Sequence, residues 1–222
     1  MTSDQRVRTP MFVDEPDTGL VISGLRRYNL FTALFFFGRQ RGLLSRLVSR
    51  SDLRAGEDVL DIGCGPGKLV RAMGRQVGPG GSVTGVDPSA EAIAYNQRRD
   101  PHHRYLRSPA QQLPLPDDGF DVVTCTFVMH HIAEPYRDAA LNEMWRVLRP
   151  GGRLLLADAH SSGFVRAVAG GWARIRGRKP IDPLAGVDIR RYVPRLTEIG
   201  FAEPQFVAVG HHTATLLSTK PH

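Results

Sequence analysis

The chain has 222 residues, 29 basic and 22 acidic, for a formal net charge of +7. That length buries the core of one domain without staples, and two cysteines 61 residues apart, Cys64 and Cys125, support neither a disulfide scaffold nor a zinc knuckle. The best apolar run, residues 30–37 (LFTALFFF), is far shorter than the ~20 residues of a membrane span, and the N-terminus MTSDQRVRTPMFVDEPD has acids where a secretory signal has its apolar core. With two free thiols the chain reads as cytoplasmic.

The basic balance comes from arginine, since only Lys68, Lys179 and Lys220 are lysines, and it reads as solvated surface rather than a nucleic-acid footprint. Residues 1–18 are polar, contain Pro10 and Pro16 and lack periodicity, which predicts a flexible arm. Residues 19–50 place Leu25, Tyr28, Leu30, Phe31, Leu34 and Phe35, then Leu43, Leu44, Leu47 and Val48, at helical spacing, with Gly38 and Gly42 as breaks between two helices.

From residue 58 the pattern changes. Strands are predicted at 58–62, 82–87, 104–108, 120–126 and 153–158, and helices at 68–77, 90–100 and 137–148, with Pro150-Gly151-Gly152 as a turn. This β-α alternation predicts an α/β fold, a parallel sheet with helices on both faces. Residues 159–187 are basic and Gly-rich and interrupt the alternation. A helix at 188–199 capped by Gly200 follows, then strands at 206–209 and 213–218 forming a hairpin.

The most informative stretch runs from Val59 to Gly67, VLDIGCGPG. A buried strand, closely spaced glycines and a helix start let a backbone approach a nucleotide. A nicotinamide fingerprint fails by one residue, because Lys68 stands where the third glycine belongs. A P-loop fails twice, because Leu69 follows Gly67-Lys68 and Ile62 stands where the first glycine belongs. An S-adenosylmethionine loop remains, with Asp61 near the ligand's amino group. Asp87 ends the second strand, 24 residues after Gly63, where a carboxylate accepts both ribose hydroxyls; the alternative role there is capping the next helix.

Residues 58–158 resemble a class I S-adenosylmethionine-dependent methyltransferase of the group that includes the quinone-biosynthesis enzymes. VLDIGCGPG resembles the first motif, VTGVDPSAEAI the second, SPAQQLPLPDDGFDVVTCTFVMHHI the third and fourth, and MWRVLRPGGRLLLAD the stretch through the fifth strand. The resemblance implies a Rossmann-like, seven-stranded, mostly parallel sheet with an antiparallel last strand, helices on both faces and a helical N-terminal lid. It implies S-adenosylmethionine as cofactor and S-adenosylhomocysteine as product. Asp61, Gly63, Cys64 and Gly65 would face the methionine end, Asp87 the ribose, and Pro88, Ser89, Ala110 and Gln111 the adenine. Pro109 stands where the family often has an aspartate for the adenine amine; the Gln111 amide oxygen is an acceptor at hand. Thr126 would lie beside the transferring methyl.

For proton transfer the candidates are His131, or its neighbour His130, and Asp158, all near strand carboxyl ends. A packing role for the histidines stays open. No metal is expected: Asp158 has only His160 nearby, and His211 and His212 would point to opposite faces. The domain reading is an arm at 1–18, a helical cap over the substrate at 19–50, and a methyltransferase domain at 51–222 in which the 159–187 insert helps shape the acceptor pocket. Tyr28, Phe31, Phe35, Phe36 and Phe37, with Phe164, Trp172 and Ile175 in the insert, either pack on the sheet or line an apolar acceptor pocket; an interfacial helix with snorkelling arginines also suits them. The expected function is methyl transfer to a small hydrophobic acceptor (a quinone precursor, lipid or secondary metabolite) by a monomer or homodimer with no nucleic-acid partner and room for peripheral membrane contact. Two alternatives stay open. One is a nucleic-acid methyltransferase, although Cys125-Thr126-Phe127-Val128 stands where a base-amine enzyme carries its N/D-P-P-Y/F tetrapeptide. The other is a protein that binds S-adenosylmethionine without catalysis.

Overall fold

The computed structural model describes residues 10–35, 39–160, 188–202, 204–210 and 213–222. Two short strands, β1 (Phe12–Glu15) and β2 (Gly19–Ile22), pair antiparallel and lead into helices α1 (Leu25–Phe35) and α2 (Gln40–Arg50). The alternating unit follows as β3 (Asp58–Ile62), α3 (Lys68–Val77), β4 (Ser82–Asp87), α4 (Ala90–Arg99) and β5 (Arg104–Arg107). It continues as β6 (Phe120–Thr126), α5 (Arg137–Val147) and β7 (Leu148–Ala159), and closes with α6 (Val193–Ile199), β8 (Gln205–Gly210) and β9 (Thr213–Thr219).

The seven strands of the main sheet lie in the order β5-β4-β3-β6-β7-β9-β8. The first five are mutually parallel, and β9 runs antiparallel to both neighbours, as expected for the last strand. The chain steps outward from β3 to β5 and then returns to the other side of β3 with β6. Connections therefore diverge between β3 and β6, which opens a crevice at their carboxyl ends. Helices cover both faces, so the central strands are buried on both sides: Val59, Leu60 and Ile62 of β3 and Val122, Val123 and Cys125 of β6 are all buried. On α3, Leu69, Val70, Met73 and Val77 form the buried stripe. Ser89 caps α4 by accepting from the Ala92 N–H at 3.2 Å, and left-handed Gly200 ends α6.

Two expectations are corrected. The segment read as an arm is a strand from Phe12, and residues 19–22, read as helical, are its partner strand. Four-residue strands are too short to display a period, and this pair is ordered by docking: the Leu20 N–H donates to the His131 carbonyl at 2.9 Å. A Cβ on Gly19, at φ +97°, would sit 2.1 Å from that same oxygen. The second correction concerns Pro150-Gly151-Gly152. It is an irregularity inside β7 rather than a turn before it, because the pairing register with β6 shifts between Phe120 and Val122. Phe36, Phe37, Phe164, Trp172, Ile175, His211 and His212 lie outside the described residues.

Candidate active site

The glycine loop leaves the end of β3 with Gly63, Gly65 and Gly67 all at positive φ. A side chain at Gly63 would place its Cβ 2.1 Å from Val128 Cγ2, so this position admits no side chain. The loop is pinned to the neighbouring strand, with the Gly63 and Cys64 N–H groups both donating to the Val86 carbonyl at 2.7 and 3.0 Å. Asp87, the last residue of β4, is buried; its two oxygens accept from the Gly65 N–H and the Ser89 N–H, each at 2.8 Å. Burial outweighs those two bonds and pushes the carboxyl up to about 6.

Asp61 lies one residue before the end of β3, opposite Thr124 on β6, whose hydroxyl donates to it at 2.7 Å. Burial pushes this carboxyl up to about 7, with the Asp87 charge adding to the effect. Burial also raises the Cys64 thiol well above its ordinary range. Asp61, Gly63, Cys64, Gly65 and Thr126 form one wall of a cavity of about 360 Å³. The lining from the N-terminal segment is mostly apolar, with Met11, Phe12, Tyr28, Phe31, Leu43 and Leu44 beside the polar Thr32 and Gln40. Tyr28 reaches over the glycine loop, and burial beside Asp87 pushes its phenol up to about 12.

A second, narrow cleft of about 30 Å³ adjoins Gly63 and is lined by Pro88, Ala110, Gln111 and Val128. Gln111 Nε2 donates to the Asp17 carbonyl at 2.5 Å. That bond fixes the amide orientation and leaves Oε1 as a buried acceptor with no partner among the described residues. Ser89 is turned elsewhere: its hydroxyl donates to the Ile22 carbonyl at 2.5 Å and serves as the α4 cap.

The two histidines have different surroundings. His130 Nδ1 meets Asp158 Oδ2 at 2.8 Å, and Asp158, 1% exposed, accepts the Ala159 N–H at 2.8 Å through its other oxygen. His131 stacks on Phe12 at 5.1 Å between ring centres, its Nδ1 is buried without a partner among the described residues, and burial followed by the neighbouring His130 pushes it down to about 3. Both rings line the large cavity, whereas Asp158 stands behind His130.

The structure thus brings Asp61, Gly63, Cys64, Gly65, Thr126 and His131 to one cavity and Pro88, Ala110 and Gln111 to the adjoining cleft, and leaves Asp87, Ser89 and Asp158 outside the lining of both. Sequence reasoning did not find Met11 and Phe12, which sit in the segment read as an arm. It also missed Phe127, held at φ +59° after β6, and Lys68, whose Nζ donates to Gln40 Oε1 at 2.9 Å on the cavity wall. Only Lys68 carried a signal, as the residue that spoils the dinucleotide fingerprint.

Residues 60–156 match the family described as Methyltransferase domain. The ubiquinone/menaquinone biosynthesis C-methyltransferase UbiE of Hahella chejuensis is 36% identical over 138 residues, covering 60% of this chain and 55% of that protein. The chain therefore spans about half the length of this relative. A SAM-dependent methyltransferase structure from Aquifex aeolicus superposes with a TM-score of 0.64 at 22% identity, over 80% of this chain and 89% of that one. The structure of the [4+2]-cyclase SpnF gives 0.58 at 20% identity, over 81% of this chain and 80% of that one. At these identities the superpositions speak for the fold alone. Residues 60–156 thus belong to a methyltransferase domain on a fold shared with class I methyltransferase structures, in a chain that resembles the ubiquinone/menaquinone C-methyltransferases.

Proposed function

We propose that the protein transfers a methyl group from S-adenosylmethionine to a small apolar acceptor carrying an acidic hydroxyl or enol, in the cytoplasm. The observation that carries this reading is the division of the 360 Å³ cavity into a polar glycine-loop wall and a mostly apolar wall that includes Met11, Phe12, Tyr28, Phe31, Leu43 and Leu44.

The residues present fit the cofactor. Asp61, buried with a single side-chain donor, suits the cationic amino group at the methionine end. Asp87 stands at the strand end where a ribose diol is held. The unpartnered Gln111 Oε1 suits the adenine amine, in place of the acid that Pro109 does not supply. When bound, S-adenosylmethionine supplies a methyl group made electrophilic by its sulfonium.

The chain's own residues then have two tasks. The apolar wall excludes water and holds the acceptor's body in one orientation. His130 handles the proton. An ionised Asp158 only accepts, so it fixes the proton on His130 Nδ1 and leaves the Nε2 lone pair as the base. His131, pushed down to about 3, stays neutral across the physiological range and is a weak base; its ring packs against Phe12. The proton-transfer role therefore moves from His131 to His130, with Asp158 as its positioning residue.

The test is methyl transfer from methyl-labelled S-adenosylmethionine by wild type, His130→Ala and His131→Ala. Loss of turnover confined to His130→Ala, with cofactor binding retained, supports the reading. Equal turnover by all three proteins contradicts it.

A further inference from the structure

The exposed large apolar side chains of the described surface are Val13, Leu20, Leu30, Phe31 and Leu34. All five belong to the N-terminal segment, and three lie on α1. Leu30 and Leu34 are 63% and 66% exposed, and their four-residue spacing puts them in one row along the helix, with Arg26 one turn earlier in the same row. Arg27 precedes Phe31 at the same spacing.

In the sequence, arginine is concentrated on either side of this row. Between residues 18 and 51 the sequence has six arginines (26, 27, 39, 41, 46 and 50) and no aspartate or glutamate, against a net charge of +7 for the whole chain. Arg26, Arg39, Arg41 and Arg46 are exposed, and among the described residues Arg46 donates to a backbone carbonyl, that of Val209, at 2.8 Å. The hairpin before α1 bears Asp14, Glu15 and Asp17 and is unsuited to the same contact.

An apolar row in a segment rich in arginine and free of acids has the composition of a helix lying in a bilayer interface, with leucines among the acyl chains and guanidinium groups at the phosphates. No helix among the described residues is long and apolar enough to cross a membrane. Phe31 and Thr32 of the same helix line the cavity, so a surface held by Leu30 and Leu34 sits beside the acceptor's space. We propose that α1 and the arginines around it dock the protein on an anionic lipid surface. This surface stands whatever the acceptor proves to be.

The test is co-sedimentation of the full chain with vesicles of phosphatidylcholine, alone or mixed with phosphatidylglycerol, at low and high salt. Wild type is expected to sediment with the mixed vesicles only and to be released by salt. Leu30→Glu/Leu34→Glu, whose side chains do not line the cavity, is expected to lose at least about tenfold in partitioning while still binding S-adenosylmethionine. Arg39→Ala/Arg41→Ala is expected to bind more weakly and with a shallower salt dependence. Wild type left in the supernatant overturns the proposal, as does a folded leucine variant that sediments like wild type. If the leucine variant fails to fold, unchanged sedimentation of the arginine variant overturns it. A wild-type dimer that the leucine substitutions split, without vesicle binding, assigns the face to a second copy of the chain instead.

Discussion

The two walls of the central cavity are built in different ways. The glycine-loop wall is held by backbone: Gly63 and Cys64 donate to Val86, Asp87 ties Gly65 to Ser89, and positive φ angles recur at Gly63, Gly65 and Gly67. The apolar wall is made of side chains from residues 11–44, and its hairpin meets the core through a few long-range hydrogen bonds such as Ser89 to Ile22, Gln111 to Asp17 and Leu20 to His131. A wall of fixed backbone suits a constant ligand, and a wall of packed side chains on short elements suits one that differs between proteins of the same fold.

The difference can be broken at several points. The largest effect is expected at the junction of the walls, where His130→Ala should lower kcat by about 10²–10⁴ with little change in cofactor affinity. Asp158→Asn should move kcat in the same direction by a smaller factor, because it loses the orientation of Nδ1 rather than the base itself. Steady-state kinetics with saturating cofactor checks both.

Gly63→Ala attacks the backbone wall. Positive φ and a 2.1 Å approach to Val128 leave no room for a methyl group, so a loss of about 1–3 kcal/mol in stability is expected, read by denaturant unfolding, together with weakened cofactor binding. The corresponding change on the other wall, Leu44→Ala, should raise the KM for the acceptor and leave cofactor affinity intact. A Leu44→Ala protein that loses the cofactor would show that the two walls are not separable.

Asp61 gives a pH signature. Its carboxyl is raised by burial from the ordinary value near 4 to about 7. The folded, ligand-free protein therefore binds this proton more tightly than the unfolded chain, and its stability falls as pH climbs through that window. In the proposed role the ionised form faces a cationic amino group, so affinity should weaken as pH falls from 7 to 5. Asp61→Asn should flatten both trends, by thermal unfolding and by calorimetry. The smallest effect is expected at Gln111→Ala, about a three- to tenfold weaker cofactor affinity from one lost hydrogen bond, with a smaller loss for an analogue lacking the adenine amine.

The sequence was legible where a physical constraint acts locally. Glycines at positive φ, acids at strand ends and the strand-helix alternation each leave a mark on residue type, so β3, α3, β4 and β6 were read with their observed bounds. The hairpin was not legible, because β1 and β2 are ordered by His131 and Ile132 more than a hundred residues away. The different surroundings of His130 and His131 were hidden for the same reason. Adjacent identical residues differ only in what tertiary packing sets beside them, Asp158 for one and Phe12 for the other.

The most direct measurement incubates the protein with methyl-labelled S-adenosylmethionine and an extract of the source cells, then partitions the products between organic solvent and water, with Asp87→Ala as control. The apolar wall predicts label in the organic phase from wild type alone, and mass spectrometry of that product names the acceptor. Label confined to the aqueous phase, or equal label from Asp87→Ala, would contradict the account.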